Sequence, residues 1–323
     1  MASMVDCAVL VAPRTGLRLK NPVMAASGTF GYGIEFAERM DVSGLGAIVC
    51  KGTTREPRTG NPPLRMVETP AGMLNAIGLA NVGVDGVIAE KAPRWESLPT
   101  PVLVNISGES IDDFEYLAGR LDGIPGIAGL EVNISCPNVR RGGLLFGADA
   151  DMAREVTAAV RAVTALPLIV KLTPNVANIR PIAAAVEQAG ADAVTVGNTL
   201  FGMAIDVRRR APVLAGITGG LSGPAVKPHA LYLVYQVAQV VSVPMIGAGG
   251  ILTATDALEF IMAGATAVQL GTALLVDPAA WQAIAAEIDR WCRREGVQSV
   301  RDIVGAANPG YKRGAGEATL TGS

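Results

Sequence analysis

One histidine, His229, is all the imidazole in this 323-residue chain. A zinc site of the H-E-x-x-H kind needs two, and any His-based triad would have to use this one. His229 follows Lys227-Pro228 at an expected helix start, where a solvated or capping role is the ordinary one. Proton chemistry in an enzyme of this sequence would therefore run on another group. Cysteine is nearly as scarce: Cys7, Cys50, Cys136 and Cys292 form no C-x-x-C pair. Neither a metal cage nor a disulfide framework is expected, and a reducing cytoplasm is the natural setting. Cys50 closes the apolar run Ala47-Ile48-Val49 and reads as a small core residue, while Cys292 falls in a charged C-terminal helix.

Charge is also sparse. Asp, Glu, Lys and Arg make up 17% of the chain, the formal net charge is −2, and aromatic residues are only 4%. This balance argues against a nucleic-acid surface, which needs clustered cations. No uninterrupted apolar run reaches the roughly 18 residues that a membrane span requires. Even the stretch 230–241 is broken by Gln236 and Gln239. The start of the chain has Asp6 and no basic cluster, so it does not read as a signal peptide. Neither G-x-G-x-x-G nor G-x-x-x-x-G-K-[ST] occurs, so a Rossmann or P-loop nucleotide site is not indicated.

What the chain has in abundance is apolar residues, at 50%, together with 38 glycines and 20 prolines. Apolar runs without polar alternation predict strands at 23–26, 47–50, 102–106, 130–134, 168–172, 193–196, 245–246 and 267–270. Such runs suit strands buried on both faces, as in a parallel sheet covered by helices. Helical spacing predicts helices at 111–121, 149–165, 179–189, 225–241, 254–263 and 279–295. Eight strands with helical crossovers over about 250 residues make a (β/α)8 barrel the leading architecture, with a doubly wound sheet as the alternative. The whole of 1–323 is expected to form one domain. A hairpin over 7–19 would close the barrel floor, and elaborated βα loops at 52–81 and 197–224 would stand over the active site. The tail from Asn308 is expected to be weakly ordered.

Chemistry on a barrel sits at the C-terminal ends of the strands. Those positions hold Ser27, Lys51, Asn105, Ser107, Asn133, Ser135, Cys136, Lys171, Thr173, Asn198 and Thr199. Amides, two lysines and a thiol around one mouth describe a pocket for a flat, polar, hydrogen-bonding ligand. Gly247-Ala248-Gly249-Gly250 and Gly271-Thr272 follow the last two strands, the usual phosphate position of this fold. A bound phosphate there suggests a phosphosugar substrate or a mononucleotide such as FMN. Lys51 and Lys171 could form a Schiff base, hold a carboxylate or balance cofactor charge. Cys136 is followed by Pro137-Asn138 and then by Arg140-Arg141-Gly142-Gly143, a rigid turn before a glycine-rich segment able to act as a lid. A free thiol titrates at about 8.5, so it can serve as a base at mildly alkaline pH.

Several segments together resemble the class 1 dihydroorotate dehydrogenases. They are Lys51-Gly52-Thr53-Thr54, Asn75-Ala76-Ile77-Gly78-Leu79-Ala80-Asn81, Asn133-Ile134-Ser135-Cys136-Pro137-Asn138, Val170-Lys171-Leu172-Thr173-Pro174-Asn175 and the glycine run 247–251. The resemblance runs from about Leu17 to Gly305, in family order. Cys136 separates the chain from the membrane-associated class 2 enzymes, which place Ser there. The stretches 142–149 and 51–61 look more like the B-type catalytic subunit than the A-type homodimer.

The resemblance implies oxidation of dihydroorotate to orotate in pyrimidine biosynthesis, with Cys136 removing the proton from carbon 5 and hydride passing from carbon 6 to FMN. Lys51, Asn75, Ala76, Ile77, Gly78, Leu79, Asn133, Asn198 and Thr199 would bind the substrate. Ser27, Lys51, Gly52, Asn105, Asn133, Lys171, Gly197, Gly223, Gly249, Gly250, Gly271 and Thr272 would bind FMN. It further implies a homodimer within a heterotetramer, whose second subunit carries FAD and a 2Fe-2S cluster and passes electrons to NAD. No metal site is expected in this chain. The competing readings are a related FMN barrel acting on another dihydropyrimidine such as dihydrouracil, a barrel lyase using Lys51 or Lys171 as a Schiff base, and a non-catalytic ligand-binding subunit.

Overall fold

A computed structural model of the chain describes residues 5–135 and 146–312. Eight parallel strands close into a barrel. In chain order they are β1 (Val23–Ala25), β2 (Ala47–Val49), β3 (Val102–Ile106), β4 (Ile127–Asn133), β5 (Leu168–Leu172), β6 (Ala193–Val196), β7 (Met245–Ala248) and β8 (Ala267–Leu270). Each pairs with its neighbour in sequence, and β8 closes on β1 through Leu270 and Ala25. The expected (β/α)8 barrel is the architecture found. All residues of β3 and β5 are buried, as expected for strands covered on both faces.

The outer helices follow from local sequence. Helix α1 (Ile111–Leu121) starts where the Ser110 side chain accepts the Asp113 N–H, and it buries Phe114, Leu117, Ala118 and Leu121 on one stripe. Asp149 caps α2 (Ala150–Val163) by accepting from the N–H groups of Asp151 and Met152. Next come α3 (Arg180–Gln188) and α4 (Lys227–Val237). Thr253 and Asp256 form a reciprocal capping box on α5 (Ala254–Ala263), and α6 (Ala280–Arg294) seals β1 with Trp281, Ile284, Ile288 and Cys292. None of these helices is long and apolar enough to cross a membrane.

The antiparallel pair Val9–Ala12 and Leu17–Leu19 forms the expected N-terminal hairpin. Its turn residue Arg14 donates to Asp192 and to the Gly190 carbonyl, fixing the hairpin to the start of β6. Two findings modify the sequence reading. The long loops after β2 and β6 are not separate: Leu200–Gly202, Gly219–Ser222, Gly72–Asn75 and Met66–Thr69 form one four-stranded antiparallel sheet. Its strands are short and rich in glycine, so neither half carries a strand signal alone. The weakly ordered tail must also be corrected at its start. Asn308 is buried and donates to the carbonyls of Tyr235 and Ala263, and the Lys312 N–H donates to Ala238. The backbone carbonyls at the ends of α4 and α5 need donors, and Asn308 supplies them.

Candidate active site

Several of the residues expected at the strand ends are brought together by hydrogen bonds at the same end of the barrel. Thr53 donates its N–H to the Asn105 carbonyl, and the Ser107 N–H returns to the Thr53 carbonyl, so the loop after β2 runs beside β3. Lys51, half-buried, is held by its own N–H on the Gly31 carbonyl. Gly52 stands over Asn105: a Cβ there would come 3.2 Å from Asn105 Oδ1 and 3.4 Å from Leu79. A side chain at position 52 would thus fill the space in front of the amide.

Asn133 ends β4 and organises the next sector. Its Oδ1 accepts from the Ser135 N–H at 3.2 Å and from Asn198 Nδ2 at 3.4 Å, while its Nδ2 lies 3.5 Å from Ser107 Oγ. Asn198 also accepts the Thr199 N–H. Asn75 Nδ2 donates to the Gly220 carbonyl, and the Thr199 side chain packs on Gly220. The four-stranded sheet therefore carries Asn75 and Thr199 to adjoining places. Ala76 and Ile77 are fixed by backbone bonds to Arg65 and Asn61, and Gly78 and Leu79 both take positive φ in the turn that follows. Asn175, unassigned from sequence, ties this sheet to β5 by donating to the Thr199 carbonyl and accepting the Phe201 N–H.

On the opposite side, the loops after β7 and β8 approach the start of α4. A Cβ on Gly250 would lie 2.7 Å from the Lys227 Cβ and 2.8 Å from the Gly223 carbonyl oxygen, and Gly250 has φ +73°. Thr272 Oγ1 donates to Ser222 Oγ at 2.8 Å, and Gly223 packs against the Thr272 methyl. Gly223, Gly250 and Thr272 thus cluster beside the N-terminus of α4, whose unpaired N–H groups favour an anion. Gly249 packs against Ala230 in α4. Gly197 follows β6 with φ +122°, so close to the Ala248 carbonyl that any Cβ would overlap it. Ser27 and Gly271, at the ends of β1 and β8, are both half-buried; Gly271 has only Ala26 and Thr29 near its Cβ position, both at 3.9 Å.

Beneath the mouth lies a polar group that sequence reasoning missed. Glu131, fully buried on β4, accepts from Asn105 Nδ2 at 2.8 Å, Thr195 Oγ1 at 2.9 Å and Gln269 Nε2 at 2.5 Å. Lys171, only 6% exposed, has its Nζ 3.4 Å from Glu131 and 3.2 Å from Gln269 Oε1. A lone carboxylate in an otherwise apolar strand, two residues before Asn133 and so on the same face, was the available signal. Asn105 Oδ1 is left buried without a hydrogen-bond partner among the described residues. An orphaned buried acceptor is costly unless a ligand donates to it.

Burial governs the described thiols. It pushes Cys50 up to about 12 and Cys7, with Asp289 nearby, to about 11, and it raises Cys292 as well. None of the three is prepared to act as a base. Cys136, the expected base, lies outside the described residues. His229 sits on the exposed first turn of α4, its Nε2 3.4 Å from the Pro174 carbonyl.

Residues 9–291 match the model of the dihydroorotate dehydrogenase family. A protein of Geotalea uraniireducens is 56% identical over 301 residues, covering 93% of this chain and 98% of its own, and is named dihydroorotate dehydrogenase B (NAD(+)), catalytic subunit. Proteins of the same name from Pelobacter propionicus and Desulforudis audaxviator are 58% and 54% identical, over 90% and 94% of this chain and 96% and 98% of their own. The chain belongs to the dihydroorotate dehydrogenase family.

Proposed function

We propose that this chain is the FMN-dependent catalytic subunit of a dihydroorotate dehydrogenase, oxidising dihydroorotate to orotate for pyrimidine synthesis. The observation that carries the cofactor reading is Asn105 Oδ1, a buried acceptor beside Gly52 with no hydrogen-bond partner among the described residues. A flavin ring offers an N–H donor for it, and the cluster of Gly223, Gly250 and Thr272 at the start of α4 suits its phosphate. Ser27, Asn133, Lys171, Gly197, Gly249 and Gly271 would make the remaining contacts with the cofactor. FMN, once bound, supplies the acceptor for the hydride that leaves carbon 6 of the substrate.

The remaining work belongs to the protein's own side chains. Cys136, directly after Ser135, accepts the carbon-5 proton as a thiolate. Lys51 pairs with the substrate carboxylate, and Asn75, Asn133, Asn198 and Thr199 bond the ring amides. The turn 76–79 closes over the substrate and, by excluding water, strengthens those bonds. The same site could process another dihydropyrimidine only without the carboxylate partnership of Lys51. A Schiff-base role for Lys171 is disfavoured because its amine is engaged by Glu131 and Gln269.

The names of the relatives point to NAD(+) as acceptor. For this chain we extend that reading to a cytoplasmic heterotetramer. Two copies would pair through the exposed apolar group Phe201, Met203, Ile205, Val207 and Ile217, and a second subunit with FAD and a 2Fe-2S cluster would pass electrons to NAD. The purified chain should be yellow and bleach anaerobically on adding dihydroorotate but not dihydrouracil. A colourless protein that gains no dihydroorotate-dependent bleaching from added FMN overturns the reading.

A further inference from the structure

A fully buried carboxylate at the centre of a barrel needs a reason, because an apolar side chain of similar volume would fill the space at lower cost. Glu131 is surrounded on every side by donors from other strands: Asn105 on β3, Lys171 on β5, Thr195 on β6 and Gln269 on β8. An ionised carboxylate only accepts hydrogen bonds, so it decides how each neighbouring amide must turn. Asn105 has to point Nδ2 at Glu131, which leaves Oδ1 as the atom beside Gly52. Gln269 has to point Nε2 at Glu131, which leaves its Oε1 to accept from Lys171. One side chain thus sets two amide orientations and tethers one ammonium.

We propose that Glu131 is a positioning residue that presents Asn105 Oδ1 as an acceptor and offsets part of the Lys171 charge, and so sets the affinity of this site for an electron-rich ring. The inference rests on the FMN reading and deepens it. Negative charge developing on a bound ring is stabilised by Lys171 and opposed by Glu131, with little solvent to screen either. The balance between these two side chains fixes how strongly the site favours the reduced form over the oxidised one.

The test uses the FMN-loaded protein and its Glu131→Gln variant, which keeps shape and removes the charge. We expect FMN to bind several-fold more weakly, because a Gln at 131 no longer dictates the Asn105 orientation. The midpoint potential of bound FMN should rise by about 30 mV or more, equivalent to a tenfold change in relative affinity for a two-electron couple. An unchanged potential with only a lower melting temperature means that Glu131 merely fills the barrel, and overturns the proposal. Wild-type protein that binds no FMN instead overturns the underlying reading.

Should Glu131→Gln not fold, Thr195→Val decides. It is close to isosteric and strips one donor from the carboxylate, leaving its charge less satisfied and its opposition to the ring stronger. The potential should then fall. A potential equal to wild type, or one that rises, overturns the proposal.

Discussion

Asn105 Nδ2 donates to Glu131 Oε1 across 2.8 Å, and this bond turns the other amide atom, Oδ1, toward Gly52, where nothing among the described residues donates to it. Replacing Asn105 by Leu removes both the orphaned acceptor and the donor to Glu131. Binding of FMN, followed by quenching of flavin fluorescence, should weaken at least about tenfold, roughly 1.4 kcal/mol. Equal affinity would show that Oδ1 meets no ligand donor.

Cys136→Ser should leave the protein yellow while slowing dihydroorotate-dependent flavin bleaching by about 100-fold or more, the usual size of a general-base contribution. In the unsubstituted protein the bleaching rate should climb with rising pH as the thiol ionises. Stopped-flow absorbance measures both. A Cys136→Ala protein that bleaches at full speed at neutral pH excludes the thiol as base.

Gly250→Ala puts a methyl group 2.7 Å from Lys227 Cβ at φ +73°. The backbone strain is about 1–2 kcal/mol, and the methyl forces the loop after β7 away from Gly223 and the start of α4. Equilibrium dialysis should show loss of FMN affinity exceeding the loss of thermal stability. If the melting temperature falls and FMN affinity does not, the cluster of Gly223, Gly250 and Thr272 holds no phosphate.

Asp122 accepts the Thr164 hydroxyl at 2.6 Å and the Ala165 N–H at 2.9 Å, and the Thr164 bond leads in holding its carboxyl below the usual range. A lowered folded-state pKa stabilises the protein above the unfolded value of about 3.9 and ceases to do so as pH falls through the folded value. Asp122→Ala should cost about 1 kcal/mol at pH 7. Urea unfolding at pH 7 and pH 3 should show the gap from wild type narrowing in acid; a constant gap would mean the charge is irrelevant.

Ile205 is 60% exposed and Val207 81%, on the small hairpin beyond the four-stranded sheet. Ile205→Glu should shift the chain toward monomer in sedimentation without altering its absorption spectrum. An unchanged sedimentation coefficient would place the contact between copies elsewhere.

The barrel was legible because its strands are buried on both faces, so each appears as a local apolar run such as Val102–Ile106 or Leu168–Leu172. The strand-end amides and lysines were legible too, since polar residues that close apolar runs stand out one by one. The N-terminal hairpin showed itself through Pro13 and Gly16 between two short apolar stretches.

Tertiary structure alone decided which of those side chains act together. Gln269 reaches Glu131 across 138 residues of sequence and Asn75 reaches Gly220 across 145, and no local pattern records such pairings. The segments 52–81 and 197–224 become one sheet only because each completes the other's backbone hydrogen bonds. Glu131 passed unnoticed in sequence for the same reason. A charge inside an apolar strand looks like an exception until the barrel closes, and closure is what brings four donors from four other strands onto one carboxylate.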